Sequence, residues 1–143
     1  MYMGEYNHTI DTKGRLIVPA KFREQLGDSF VITRGFEGCL MVYDMAEWEK
    51  VQEKISTQSI LSAQARALHR YLIGGAAVCE VDKQGRVLIP PVLREAAKVV
   101  KDVVLLGVGN KIEVWSKENW MLQNDSINIE DIAQQLNEAG IVL

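Results

Sequence analysis

The feature that most constrains this chain is that it states one pattern twice. DTKGRLIVPAKFRE, beginning at Asp11, returns as DKQGRVLIPPVLRE, beginning at Asp82. At an offset of 71 residues, Asp11/Asp82, Gly14/Gly85, Arg15/Arg86, Pro19/Pro90, Arg23/Arg94 and Glu24/Glu95 are identical. Leu16/Val87, Ile17/Leu88, Val18/Ile89 and Phe22/Leu93 stay apolar, and upstream Gly4 faces Gly75 and Ile10 faces Val81. Downstream, DSFVITRGFEGCLMVYDMAEW aligns with the shorter DVVLLGVGNKIEVWSKENW, which brings Trp48 onto Trp120. The repeat covers about two thirds of the 143 residues, and we read it as a duplication.

Each unit carries the same local code. A short strand ends at the aspartate, a turn carries the Gly-Arg pair, and RLIVP or RVLIP follows as a strand rich in residues that suit a pleated surface. The proline stops that strand and fits the first helical position, where its missing N–H has no partner to lose. AKFREQL and PVLREAA then read as short helices, with Phe22 and Leu26, or Leu93 and Ala97, on one face at i, i+4. FVITR and CLMVY form the next strands around a turn from Gly35 to Gly38, and VVLLG and KIEVW repeat this around Gly107 to Asn110. Asp44 with Glu47 has capping-box spacing for a following helix, and Ser116 can cap its counterpart.

Residues 59–73 carry a helical stripe of Leu61, Ala65, Leu68 and Leu72, stopped by Gly74-Gly75. NIEDIAQQLNEAG predicts a C-terminal amphipathic helix with Ile129, Ile132, Ala133 and Leu136 inward. The predicted organisation is therefore residues 5–48 as the first repeat, 49–75 as connecting helices, 76–120 as the second repeat, and 121–143 as a C-terminal helix. A unit of about 45 residues with four short strands buries too little to stand alone. Two such units can cover each other's apolar faces. The fold class expected is α+β with a mostly β core: one closed β-barrel of two interlocked, pseudo-symmetric repeats with helices outside.

Composition excludes more than it assigns. No apolar run approaches the roughly 18 residues of a membrane span, and the start, MYMGEYNH, lacks the basic and apolar segments of a secretory signal. Cys39 and Cys79 have no metal-type spacing and read as ordinary thiols of a reducing compartment, which places the protein in the cytoplasm. The net charge of −3 speaks against a nucleic-acid partner, but its distribution matters more than its sum. From Gln123 onward there are four acids and no Lys or Arg, which leaves 16 bases against 15 acids before it.

The doubled turn is the candidate site. Its glycine supplies a positive φ, and its aspartate can accept backbone N–H bonds as Asx turns do, or pair with its own arginine. An arginine steadied by an aspartate four residues earlier is preorganised, and its planar fork suits guanine O6 and N7 or a phosphate. Arg15 and Arg86 are the candidates for recognition, Lys13 and Lys83 for backbone attraction. Asp11, Gly14, Asp82 and Gly85 would hold the loops in shape. Catalysis finds no support. His8 and His69 lie far apart, with His69 on the outer side of its helix, and no GxSxG, HExxH, P-loop or GxGxxG run appears. No cofactor, metal or small-molecule substrate is expected. Tyr43/Trp115 and Trp48/Trp120 read as packing aromatics beyond the turn.

The paired D-x-x-x-R, here DTKGR and DKQGR, each followed by a strand, a proline and an RE-bearing helix, resembles the MraZ family. That family belongs to the AbrB-like group of swapped-hairpin DNA-binding barrels, and the likeness covers nearly the whole chain. It implies a sequence-specific, nucleoid-associated regulator of a bacterial division and cell-wall gene cluster, its own promoter included. It also implies a ring-shaped homo-oligomer on short direct repeats of double-stranded DNA, with contacts from Asp11, Lys13, Gly14, Arg15, Asp82, Lys83, Gly85 and Arg86. Because Gln84 stands opposite Lys13, the first loop should carry more of the phosphate attraction. The rival readings are an AbrB-type antitoxin that also binds a toxin, and a structural ring that binds no DNA.

Overall fold

The computed structural model describes residues 1–58 and 60–142. The first repeat folds as β1 (Tyr2–Thr9), β2 (Arg15–Ile17), α1 (Ala20–Leu26), β3 (Ser29–Arg34), β4 (Leu40–Asp44) and α2 (Met45–Ser56). After α3 (Ala63–Leu72) the series recurs as β5 (Ala77–Glu80), β6 (Arg86–Leu88), α4 (Pro91–Ala96), β7 (Asp102–Gly109), β8 (Ile112–Ser116) and α5 (Lys117–Asp125), and α6 (Ile129–Glu138) closes the chain. The α+β class and the mostly β core follow the sequence expectation.

The strands are shared between repeats. β1 pairs with β7 from Tyr2↔Gly109 to Thr9↔Asp102, and β5 returns the exchange on β3, from Ser29↔Glu80 to Ile32↔Ala77. β4 and β8 meet at the centre, and the whole six-stranded sheet runs β1-β7-β8-β4-β3-β5. β2 and β6 form a separate antiparallel ribbon with Leu16 opposite Val87. A continuous closed barrel, as the sequence suggested, is not what these strands make. Among the described residues the ribbon's backbone meets the strands that lead into it at the isolated bridges Ile10↔Leu16 and Val81↔Val87, and its inner side chains pack on the sheet. Each ribbon strand has three residues between a glycine loop and a proline without an N–H to donate, too few to extend a ladder.

One core lies between ribbon and sheet. Leu16, Val87, Phe22, Leu93, Ile89, Phe30, Ile32, Leu105 and Val114 belong to it, drawn from both repeats. Phe22 of α1 packs edge-on against Tyr2 and Tyr6 of β1, with ring centroids 5.9 and 5.1 Å away. Burying a side chain of this size contributes roughly 1.5–3 kcal/mol, so the short helices are held by their inward faces and not by their length. The two capping predictions hold: Asp44 accepts from Glu47 N at 2.9 Å, and Ser116 Oγ from Asn119 N at 3.1 Å. Trp48 packs on Tyr43, and Trp120 on Trp115, as packing aromatics.

Two other expectations need correction. The stripe predicted over 59–73 becomes a helix only from Ala63, because Ser62 caps it by accepting from Ala65 N at 3.3 Å. Leu61 therefore lies outside α3 and is exposed, while Leu68 and Leu72 pack against α2 and Val31; Ser59 lies outside the described residues. The α6 helix forms where predicted, but no residue in it is fully buried: Ile129 and Leu136 are 64% and 44% exposed, Ala133 is open as well, and Ile132 is half-buried. Among the described residues its apolar stripe is left mostly open.

Candidate nucleic-acid interface

The repeated turn closes in the same way at both places. Asp11 Oδ1 accepts from the backbone N–H groups of Lys13 (3.0 Å) and Arg15 (2.9 Å), and Oδ2 takes Arg15 Nε at 2.7 Å. In the second loop Asp82 Oδ1 accepts from Gln84 N and Arg86 N, and Oδ2 from Arg86 Nε, all at 2.9 Å. Gly14 and Gly85 carry φ of +89° and +77°, which lets their N–H groups turn back to the aspartate carbonyls at 3.0 Å. The aspartate thus does both jobs the sequence left open, capping the turn and gripping the arginine.

That grip has an electrostatic consequence. Each carboxyl is held below the ordinary aspartate value, chiefly by the N–H of its arginine. Desolvation opposes this, and the arginine side chain and the N–H two residues on add to it. Both aspartates stay ionised at neutral pH. As exposed ion pairs they add little net stability; their effect is on direction. With Nε occupied, the guanidinium is fixed in plane, and its two Nη groups have no partner among the described residues.

The ribbon then sets the two arginines side by side. Successive side chains alternate across a strand, and directly opposed residues share a face. Leu16 and Val87 point into the core, so Arg15, Ile17, Arg86 and Leu88 all lie on the outer face. Arg15 stands opposite Leu88, and Arg86 opposite Ile17. Two residues along and one strand across puts the arginine Cα atoms on the order of 8 Å apart. The face is a small diamond with a guanidinium at two corners and an aliphatic chain at the others.

Ile17 and Leu88 are the residues that sequence reading missed. Strand-forming character alone does not single them out, yet they are 46% and 56% exposed. Each loop carries one exposed lysine, but not at matching places. Lys13 precedes the glycine directly, whereas Lys83 stands one residue earlier, opposite Thr12. The loops differ in where the lysine stands and not in how much charge they bear. The repeats are also laced together here, with Val18 N donating to Gly85 O at 3.0 Å and Ile89 N to Gly14 O at 2.9 Å.

Other candidates are structural. Half-buried His69 bonds the Ala65 carbonyl through Nδ1 at 2.7 Å, and His8 sits on β1. Burial pushes the Cys39 thiol up to about 12, with Glu113 adding to the effect, and burial raises Cys79 too, so neither is a ready thiolate. Among the described residues no three His, Cys, Asp or Glu side chains gather to hold a metal ion, and no helix is long and apolar enough to cross a membrane.

Known proteins match the chain from end to end. The family described as "MraZ protein, putative antitoxin-like" matches residues 1–71 and again 72–139. A protein named "Transcriptional regulator MraZ" from Thermoanaerobacter sp. (strain X514) is 49% identical over 143 residues, spanning 99% of this chain and all of the relative. Its namesake from Caldanaerobacter subterraneus subsp. tengcongensis is 50% identical over the same spans. The protein of that name from Clostridium acetobutylicum is 46% identical over 142 residues, 99% of this chain and 100% of its own.

Proposed function

The chain belongs to the MraZ family, and from that premise we propose that it is a transcriptional regulator that reads double-stranded DNA with its two Asp-Gly-Arg loops. The observation that carries the reading is the outer face of the β2–β6 ribbon. Arg15 and Arg86 are held there at Nε, and neither Nη group has a partner among the described residues. A two-stranded ribbon fits the major groove, and an arginine fork can meet guanine O6 and N7 together. Ile17 and Leu88, exposed between the arginines, suit contact with thymine methyl groups. Lys13 and Lys83 supply phosphate attraction, and Asp11, Gly14, Asp82 and Gly85 hold the loops.

The site performs recognition and no bond-making step. Its carboxylates are ionised and occupied, so neither serves as a general acid near neutral pH. The full proposal includes sequence-specific repression or activation at the promoter of a division and cell-wall gene cluster, in the cytoplasm at the nucleoid. It also includes assembly of several copies into a ring on short direct repeats. The exposed apolar side chains of α5 and α6, Met121, Leu122, Ile129 and Leu136, support assembly. One protomer offers few cationic contacts, and linked copies on repeated boxes would raise affinity through effective concentration.

A second reading, an antitoxin-like module with a protein partner, is favoured by the family's own description and by the uncovered α6 stripe. The test is a salt-dependent titration of the protein onto a duplex from upstream of its gene, beside scrambled DNA. Wild type should prefer the native duplex, and Arg15→Ala or Arg86→Ala should remove the preference. Equal indifference of wild type to both duplexes would overturn the DNA reading.

A further inference from the structure

Behind each loop lies an arginine that the recognition face does not use. Arg23 of α1 and Arg94 of α4 occupy matching positions in the two repeats, and each is half-buried. Neither is paired with a carboxylate among the described residues. Their locations are exchanged: a Cβ built on Gly14 would stand 2.5 Å from Arg94 Cζ and 2.7 Å from its Nε. A Cβ on Gly85 would stand 2.7 Å from Arg23 Cζ. The guanidinium from each repeat therefore lies against the bare glycine of the other repeat's loop. The glycines are needed twice over, for their positive φ and for the space the guanidinium fills.

We propose that Arg23 and Arg94 are positioning residues that brace one another's repeats, Arg94 setting the Asp11–Arg15 loop and Arg23 setting the Asp82–Arg86 loop. The brace is continuous with backbone contacts already described. Arg94 Nε donates to Ile89 O at 2.9 Å, and Ile89 N in turn donates to Gly14 O at 2.9 Å. One residue thus ties the guanidinium to the loop it covers. On the other side Arg23 Nε is buried and has no hydrogen-bond partner among the described residues, while Val18 N still donates to Gly85 O. The second loop is braced by packing without the extra tether. A planar group flat against a glycine backbone is a task for arginine and not for lysine. The functional consequence rests on the DNA reading above: the loops would be set jointly, so one cannot shift without the other repeat's helix.

Two measurements on the full-length protein test this. The first needs no DNA: hydrogen exchange by mass spectrometry in Arg94→Met and Arg23→Met, with β7 as an internal control. Arg94→Met should speed exchange at residues 11–15 and leave 82–86 at the wild-type rate, and Arg23→Met should do the reverse, with β7 unchanged. Effects confined to a variant's own repeat, spread over β7, or absent would overturn the brace. Arg94→Lys covers the case in which the methionine variant folds poorly, and it should loosen residues 11–15 as well.

The second measurement is a double-mutant cycle on DNA affinity. Arg94→Ala should be non-additive with Arg15→Ala by at least about threefold and close to additive with Arg86→Ala, because coupling is confined to groups that share contacts. Arg23→Ala should show the opposite pairing. Full rescue by Arg94→Lys, together with a loss of about one unit of salt slope in Arg94→Ala, would instead make Arg94 a phosphate contact and end the proposal. If wild type binds no specific DNA, the recognition reading falls and the exchange data alone decide the brace.

Discussion

The two Asp-Gly-Arg loops make the same hydrogen bonds to within 0.2 Å, yet they do not rest on the same support. The first has an arginine behind it that is itself bonded; the second has one whose Nε has no partner among the described residues. The helices that follow also end differently. α1 stops at Gly27 with φ +77°, whereas the matching residue after α4 is Lys98, held at φ +54°. Duplication has copied what is encoded within five residues and has let the longer-range setting drift. The two Asp-Gly-Arg loops are alike in shape and unequal in support.

The sharpest way to break the comparison is at the ribbon's centre. Leu16→Ala removes a core side chain at the one place both loops share, and it should cost about 2–5 kcal/mol in denaturant unfolding. Val87→Ala should cost less, but if the ribbon is one head, each change should loosen both loops in hydrogen exchange. Next come the arginines. Arg15→Ala and Arg86→Ala should each cost about 1–3 kcal/mol of specific DNA affinity. Equal losses would mean the two loops read as twins, and a larger loss at Arg15 would mean that rigidity decides.

A smaller effect separates the helix ends. Lys98→Gly should stabilise the protein by up to about 1 kcal/mol, and Gly27→Ala should destabilise it by a similar amount, since each change acts on a left-handed residue. Nothing lies within 4 Å of a Cβ at Gly27, so that cost is conformational, and thermal melts will read both shifts. The smallest expected effect concerns pH. Both aspartates titrate lower in the folded chain than in the unfolded one, so their contribution is present above the ordinary aspartate value of about 3.9 and fades as pH falls through the depressed folded values. Carboxyl NMR on the two loops should find both latches opening in that acidic window. A loop that opened well above it would break their likeness.

What the sequence made legible was local. The turn, its aspartate-to-arginine grip and the caps at Asp44 and Ser116 each depend on groups within four residues, and each formed as read. What it hid depended on distant partners. Ile17 and Leu88 looked buried because a three-residue strand is too short to show alternation, and only the pairing with the opposite strand settles which face each takes. The stripe of α6 looked inward-facing because periodicity reports an apolar face and not what lies across from it. Barrel closure failed for a similar reason: the proline that marks the strand's end also shortens it below the length a ladder needs. The exchange of Arg23 and Arg94 between loops was visible as a matched pair in sequence, but nothing there says which glycine each one covers.

The reciprocal exchange of strands also bears on how the chain is made. β1 leaves the ribosome well before its partner β7, which lies about 100 residues further on. At roughly 5–20 residues per second, synthesis leaves β1 waiting about 5–20 s with both edges bare. A long apolar strand in that position would invite pairing between nascent chains. β1 instead carries Glu5, Asn7 and Thr9 on its open positions and a glycine at φ +105° early in its length. These residues contribute little to the finished core, and they suit a strand that has to remain soluble until the second half of the protein arrives.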